Sequence, residues 1–177
     1  MSTTARPNRL ARTLAWLDKV PAPLRQRARN LVLRRAVPFT GTARLDFAVM
    51  TSEKVEITIA NQRRVQNHIQ GVHAAAMTLL AETATGMVVG MNVRDDCLPL
   101  AKELKVQFKR RTQGDMRAVA HLSAQQRKLM QSQDKGEVVV PVTVTDASGE
   151  QPIVCEFIWA WVPSKKSTAP NPVSVPA

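Results

Sequence analysis

One helix-like run in the middle of the chain, with period-two segments on both sides of it, limits the possible folds more than any other feature. Residues 72–87 are built mainly of Ala, Met, Leu and Thr and hold a single acid, Glu82. Before them, Leu45, Phe47 and Val49 alternate with Arg44, Asp46 and Ala48. Val55, Ile57 and Ile59 alternate with Lys54, Glu56 and Thr58. Such alternation puts one set of side chains on a buried sheet face, and SEK (52–54) reads as the hairpin turn between two strands.

Five more strand candidates follow. Met87–Val93 is a mixed apolar run. Leu104, Val106 and Phe108 alternate with lysines and a glutamine, and Met116, Ala118, Ala120 and Leu122 form the next stripe. Val138, Val140, Val142 and Val144 form another, in which Pro141 implies an edge or a bulge. Ile153 to Trp161 is apolar on both faces, after a hairpin turn at 146–152. The order predicts an α+β domain, an antiparallel sheet with one helix packed on it. Small helix residues let the sheet curve closely around that helix.

Upstream, residues 9–19 carry Leu10, Leu14 and Leu17 at helical spacing. PAP (21–23) breaks the pattern, and 24–36 resumes it with Leu24, Ala28, Leu31 and Val32 on one side. VPFTG (37–41) ends helical character. Residues 1–36 hold nine Lys/Arg against one Asp, whereas 37–163 hold fourteen basic and thirteen acidic residues. The expected division is therefore a basic helical extension (1–36), a near-neutral domain (37–163) and a disordered Pro/Ser-rich tail (164–177). The basic arm is either a solvated extension or a contact for an anionic partner. A membrane-surface contact through residues 9–36 is one option. No specific nucleic acid is expected, because the arm has no base-reading motif and only Trp16 to stack on a base. Cys97 and Cys155 have neither metal-ligand nor disulfide-framework spacing, so no metal, no cofactor and a cytoplasmic setting are expected.

The approach loop and helix, NHIQGVHAAAMTLLAETATG (67–86), resemble the hotdog thioesterases, in particular the phenylacetyl-CoA thioesterase-like branch. That branch carries an Asn, a Gly, then His-Gly-Gly at the helix start and an acid nine residues after the His. The matching residues are Asn67, Gly71, His73-Ala74-Ala75 and Glu82. Ala-Ala replaces Gly-Gly, and Glu replaces the commoner Asp. VPFTG (37–41), the run 63–86 and ELKVQFKRRTQGDM (103–116) also resemble a less characterised bacterial hotdog family, mostly called thioesterases by inference.

The resemblance implies a hotdog fold of five to seven strands wrapped around one central helix, preceded by two short N-terminal helices. It implies hydrolysis of an acyl-CoA or acyl-carrier thioester by a homodimer or homotetramer. Glu82 is then general base or nucleophile, Asn67 orients water or carbonyl, and the N–H of His73 or Ala74 polarises the carbonyl. Gly71, Ala74, His68, Lys109 and Arg110 are the expected substrate-binding residues. Plainer readings stay open: Glu82 as half of an ion pair, His73 as a helix-start residue, His68 as a loop residue, and the 105–111 cations as a solvated face. A non-catalytic hotdog module that binds acyl-CoA or a protein partner is the alternative function.

Overall fold

The computed structural model describes residues 7–164; the predicted tail from 165 onward lies outside the described residues. The chain opens with helices α1 (Arg9–Leu17), α2 (Ala22–Ala36) and α3 (Pro38–Ala43). Strands β1 (Asp46–Met50) and β2 (Lys54–Ile59) precede the long helix α4 (Ala74–Gly90). Then come β3 (Cys97–Phe108), β4 (Met116–His121), α5 (Ala124–Ser132), β5 (Gly136–Val140), β6 (Val142–Asp146) and β7 (Ile153–Pro163).

All strand pairs are antiparallel, in two sheets ordered β1-β2-β4-β6 and β3-β7-β5. Pro141 lies between β5 and β6, where the chain passes from one sheet to the other. A proline has no N–H to give a ladder, so the break falls where a bond is dispensable. Both sheets pack on α4. Leu80, Val88 and Val89 of that helix are fully buried, each contributing about 1.5–3 kcal/mol of transfer free energy.

α1 and α2 share this core through Leu14, Leu17 and Leu33. The Asn8 side chain caps α1 and donates to the carbonyls of Gly90 and Val93 at 2.7 Å, tying the first helix to the end of α4.

Four expectations need correction. First, VPFTG does not end helical character: α3 starts on Pro38, an N-terminal position where a missing N–H is harmless. Second, residues 87–90 are helix rather than strand, and Met91–Val93 closes the helix. A helix enclosed on most sides has no solvent face to set a period, so its last turn reads as an apolar run.

Third, α5 was not anticipated, although Ser123 and Gln126 form a complete capping box at its start. Fourth, α2 buries Arg29, Asn30 and Leu33, and leaves Leu24, Leu31 and Val32 exposed. Arg29 is turned inward with both terminal nitrogens of its guanidinium engaged. It donates to the carbonyls of Phe47 (3.2 Å) and Ala48 (3.0 Å) and pairs with Asp18 at 2.7 Å.

Candidate active site

The start of α4 is built by the loop before it. The Asn67 Oδ1 accepts from the N–H groups of Ile69 and Gly71, both at 3.1 Å, which folds residues 67–71 into a tight turn. Gly71 is buried under Thr112: a Cβ there would lie 2.8 Å from the Thr112 hydroxyl oxygen. That oxygen also accepts from the Val72 N–H at 3.1 Å. The His73 N–H donates to Val65 O at 2.7 Å, so the chain enters the helix already pinned.

His73 is the N-cap, and its Nδ1 accepts from the Ala75 N–H at 3.1 Å. A ring nitrogen that accepts carries no proton, so the ring N–H lies on Nε2 in this arrangement. With the His73 and Ala75 amides engaged, the Ala74 N–H is left without an acceptor among the described residues. Unpaired amides and the helix dipole make this end attractive to negative charge. Ala74 and Ala75 stand in ordinary helical backbone, with φ negative at both. The Gly-to-Ala exchange therefore strains nothing here.

Two cavities flank the helix start. One, of about 370 Å³, has Asn67, Gly71, Ala74 and Met77 on the helix side. Phe108, Lys109, Arg110 and Thr112 stand opposite them. Five residues singled out in the sequence (Asn67, Gly71, Ala74, Lys109 and Arg110) thus line one space. Arg110 is anchored there, donating to Asp146 Oδ1 at 2.9 Å and Ser148 Oγ at 2.7 Å.

The Asp146 side chain is fully buried. Burial pushes its pKa up, but hydrogen bonds from Ser148, the Gln113 N–H and Arg110 outweigh this and hold it below 3.8. The second cavity, about 200 Å³, lies between Phe39 of α3, Arg64, and His73, Ala75 and Leu79 of α4. His68 is exposed on the loop and lines neither cavity.

Glu82 lies on the incompletely covered stripe of α4 with Ala75, Thr78 and Gly86. Its carboxylate has no cationic partner among the described residues; its recorded contact is the Thr83 hydroxyl, at 3.5 Å. Burial raises its pKa above 4.5, and the Thr83 contact only partly offsets this. One turn on, the Trp159 indole covers Gly86, and its Nε1–H donates to Thr85 Oγ1 at 3.0 Å.

Sequence reasoning missed Thr112, Asp146, Phe39 and Arg64. Their partners are about 20 to 40 residues away along the chain, and no local spacing announces them. β3 was legible only from Leu104 to Phe108, and those two residues, which alternation puts on a buried face, are exposed together with Leu98 and Leu100 at the end of their sheet.

Comparison with known proteins bears on the fold. Residues 25–162 match the model of the domain of unknown function DUF4442. A Pseudomonas aeruginosa protein of unknown function, described as a probable thioesterase, superposes with a TM-score of 0.70 at 21% identity. The match covers 76% of this chain and 93% of that one. A Haemophilus influenzae thioesterase superposes at 0.59 and 12% identity, covering 71% and 82%. A mutant thioesterase of Staphylococcus aureus gives 0.62 and 16%, covering 72% and 100%. No curated protein matches the sequence. The architecture is the hotdog fold, as the resemblance implied. No helix among the described residues is long and apolar enough to cross a membrane.

Proposed function

The chain belongs to the DUF4442 family, and from that premise we propose that it hydrolyses a thioester carried by coenzyme A or an acyl-carrier protein. Glu82 carries the reading. An acid half-buried in a helix, raised in pKa and lacking a cation, makes its own ionisation unfavourable, which is a common signature of groups that move protons. The same helix offers the unpaired Ala74 N–H.

Ala74 and Glu82 are eight residues apart on one helix, about 12 Å along its axis. That is farther than a glutamate side chain reaches, so one chain cannot close both groups on one ester. A second copy can. β3 ends its sheet with an unpaired edge and exposed leucines, and a two-fold partner added there lays a second α4 beside the first.

In the resulting site, the Ala74 N–H of one copy polarises the thioester carbonyl. Glu82 of the other removes a proton from water, whose oxygen adds to the carbonyl carbon; the C–S bond breaks, and the thiolate leaves to be protonated. Direct attack by the Glu82 carboxylate, with water opening the resulting anhydride, gives the same products. Asn67 lines the same space, and Lys109 and Arg111 put positive charge where coenzyme A phosphates would lie. A cytoplasmic setting, in keeping with two unpaired cysteines, belongs to the same reading.

A second reading is favoured by the eight-residue gap itself: a non-catalytic module that binds acyl-CoA or a protein partner. A panel of acyl-CoA esters, with release of free thiol measured, separates them. Hydrolysis of some ester is expected, with Glu82→Gln and Glu82→Ala slower by about a hundredfold or more and the dimer intact. An acyl-CoA complex that is never turned over, or full activity in both variants, overturns the proposal.

A further inference from the structure

A cleft of about 630 Å³ opens between α2 and α3, lined by Arg27, Arg34, Arg35 and Arg44 together with Asn30, Leu31 and Gly41. Arg34 is held by the protein: its Nε–H donates to Leu45 O at 2.8 Å and it lies 3.9 Å from Asp46. Asp46 in turn also accepts from Asn30. The guanidinium groups of Arg27, Arg35 and Arg44 meet no acceptor among the described residues. Like charges gathered in one cleft repel one another until an anion sits among them.

The same helix face is apolar. Leu24 and Leu31 are 52% and 66% exposed, and Val32 is exposed beside them. Leu24 and Leu31 are seven residues apart, so they stack on one side of the helix, over two turns. α2 therefore turns outward Leu24 and Leu31 together with Arg27 and Arg35.

We propose that this face docks on a bilayer surface rich in anionic phospholipid. Lipid phosphates enter the arginine cleft, where planar guanidinium forks suit them. Leu24, Leu31 and Val32 enter the boundary between headgroups and acyl chains. Charge complementarity selects a negative surface. The exposed leucines select the bilayer over a nucleic acid, whose phosphates would engage the arginines and leave the leucines in water. This inference is independent of the thioesterase reading, because the cleft shares no lining residue with either cavity at the start of α4.

The test is co-sedimentation of the full-length chain with two kinds of vesicle: phosphatidylcholine alone, and phosphatidylcholine with phosphatidylglycerol in equal parts. The anionic vesicles are expected to bind about tenfold more protein or better, less so as salt rises. Arg27→Gln/Arg35→Gln and Leu24→Asp/Leu31→Asp should each lower that binding by about tenfold, with unchanged circular dichroism and unfolding midpoint. Duplex DNA and inorganic phosphate, at matched phosphate concentration, are the comparison ligands. Equal binding to both vesicles, full binding by the folded Leu24→Asp/Leu31→Asp variant, or a tighter complex with DNA or phosphate than with anionic vesicles overturns the proposal.

Discussion

Replacing Gly86 by alanine tests how α4 is seated beneath its sheet. Gly86 is an interior helix position, where glycine costs about 1 kcal/mol against alanine, so the exchange ought to stabilise an isolated helix. In the fold the space is taken. A Cβ at position 86 would lie 2.7 Å from Cη2 and 2.8 Å from Cζ2 of Trp159. The ring is held in place: Trp159 is 7% exposed and its Nε1–H donates to Thr85 Oγ1 at 3.0 Å.

Forcing a methyl group into such a contact costs about 1–3 kcal/mol. A ring that tilts away also gives up a hydrogen bond worth about 1 kcal/mol net. Setting the helix-propensity gain of about 1 kcal/mol against these leaves Gly86→Ala destabilised by about 1–3 kcal/mol. For a chain of this length that lowers Tm by roughly 2–12 °C. Urea and thermal unfolding by circular dichroism measure it. In a Trp159→Phe background the obstructing ring atoms are gone, and Gly86→Ala should become neutral or stabilising, a coupling of about 1 kcal/mol or more. If Gly86→Ala alone is as stable as the parent, the packing argument is wrong.

Three further outcomes follow from the same geometry. Because burial raises the Glu82 pKa, its ionisation is easier in the unfolded chain. Stability should therefore fall as pH rises from about 4.5 through the raised folded value. Glu82→Gln should flatten that part of the pH profile and melt higher than the parent at neutral pH; parallel profiles would contradict it. If His73 serves as the cap of α4, His73→Ala loses about 1 kcal/mol, whereas His73→Asn, which keeps a side-chain acceptor, stays close to the parent. Equal losses in the two variants would contradict the capping role. Removing the fully buried Asp146 strips Arg110 of its carboxylate. Asp146→Ala should cost about 3 kcal/mol, read by urea unfolding, and a loss under 1 kcal/mol would show that the pair is not an anchor.

The sequence carried β2 and β4 well, because each buries one face and alternates accordingly, whereas a bulge in β1 buries Met50 in place of the expected Val49. It carried α4 less well. The last turn of that helix lacks a solvent face, and its Gly86 lies under the Trp159 ring. The inverted burial of α2 was illegible for a similar reason. Its inward position goes to Arg29, whose two terminal nitrogens donate to two carbonyls and Asp18, and no periodicity rule buries an arginine while exposing leucines. Of the site, the ordered set Asn67, Gly71, His73 and Glu82 was readable as spacing. What spacing could not supply was the division of labour at the helix start. There the His73 side chain occupies the Ala75 amide, its own amide is bonded to Val65, and the Ala74 amide meets no acceptor among the described residues.

The most direct test uses one substitution for each half of the proposed site. Ala74 is the first helical residue, and His73 before it has φ −65° and ψ 144°, an extended conformation that a following proline accepts. Ala74→Pro thus deletes the free N–H with little disturbance to the helix, and Glu82→Gln deletes the base. Each variant alone should be nearly inactive toward the acyl-CoA ester that the parent hydrolyses. Refolded together in equal amounts, they form mixed dimers in which one of the two symmetric sites has both groups intact. Activity should then return to about a quarter of the parent value. If the mixture stays as inactive as its components while subunit exchange is demonstrated, the two groups do not meet across copies, and the account of the site is contradicted.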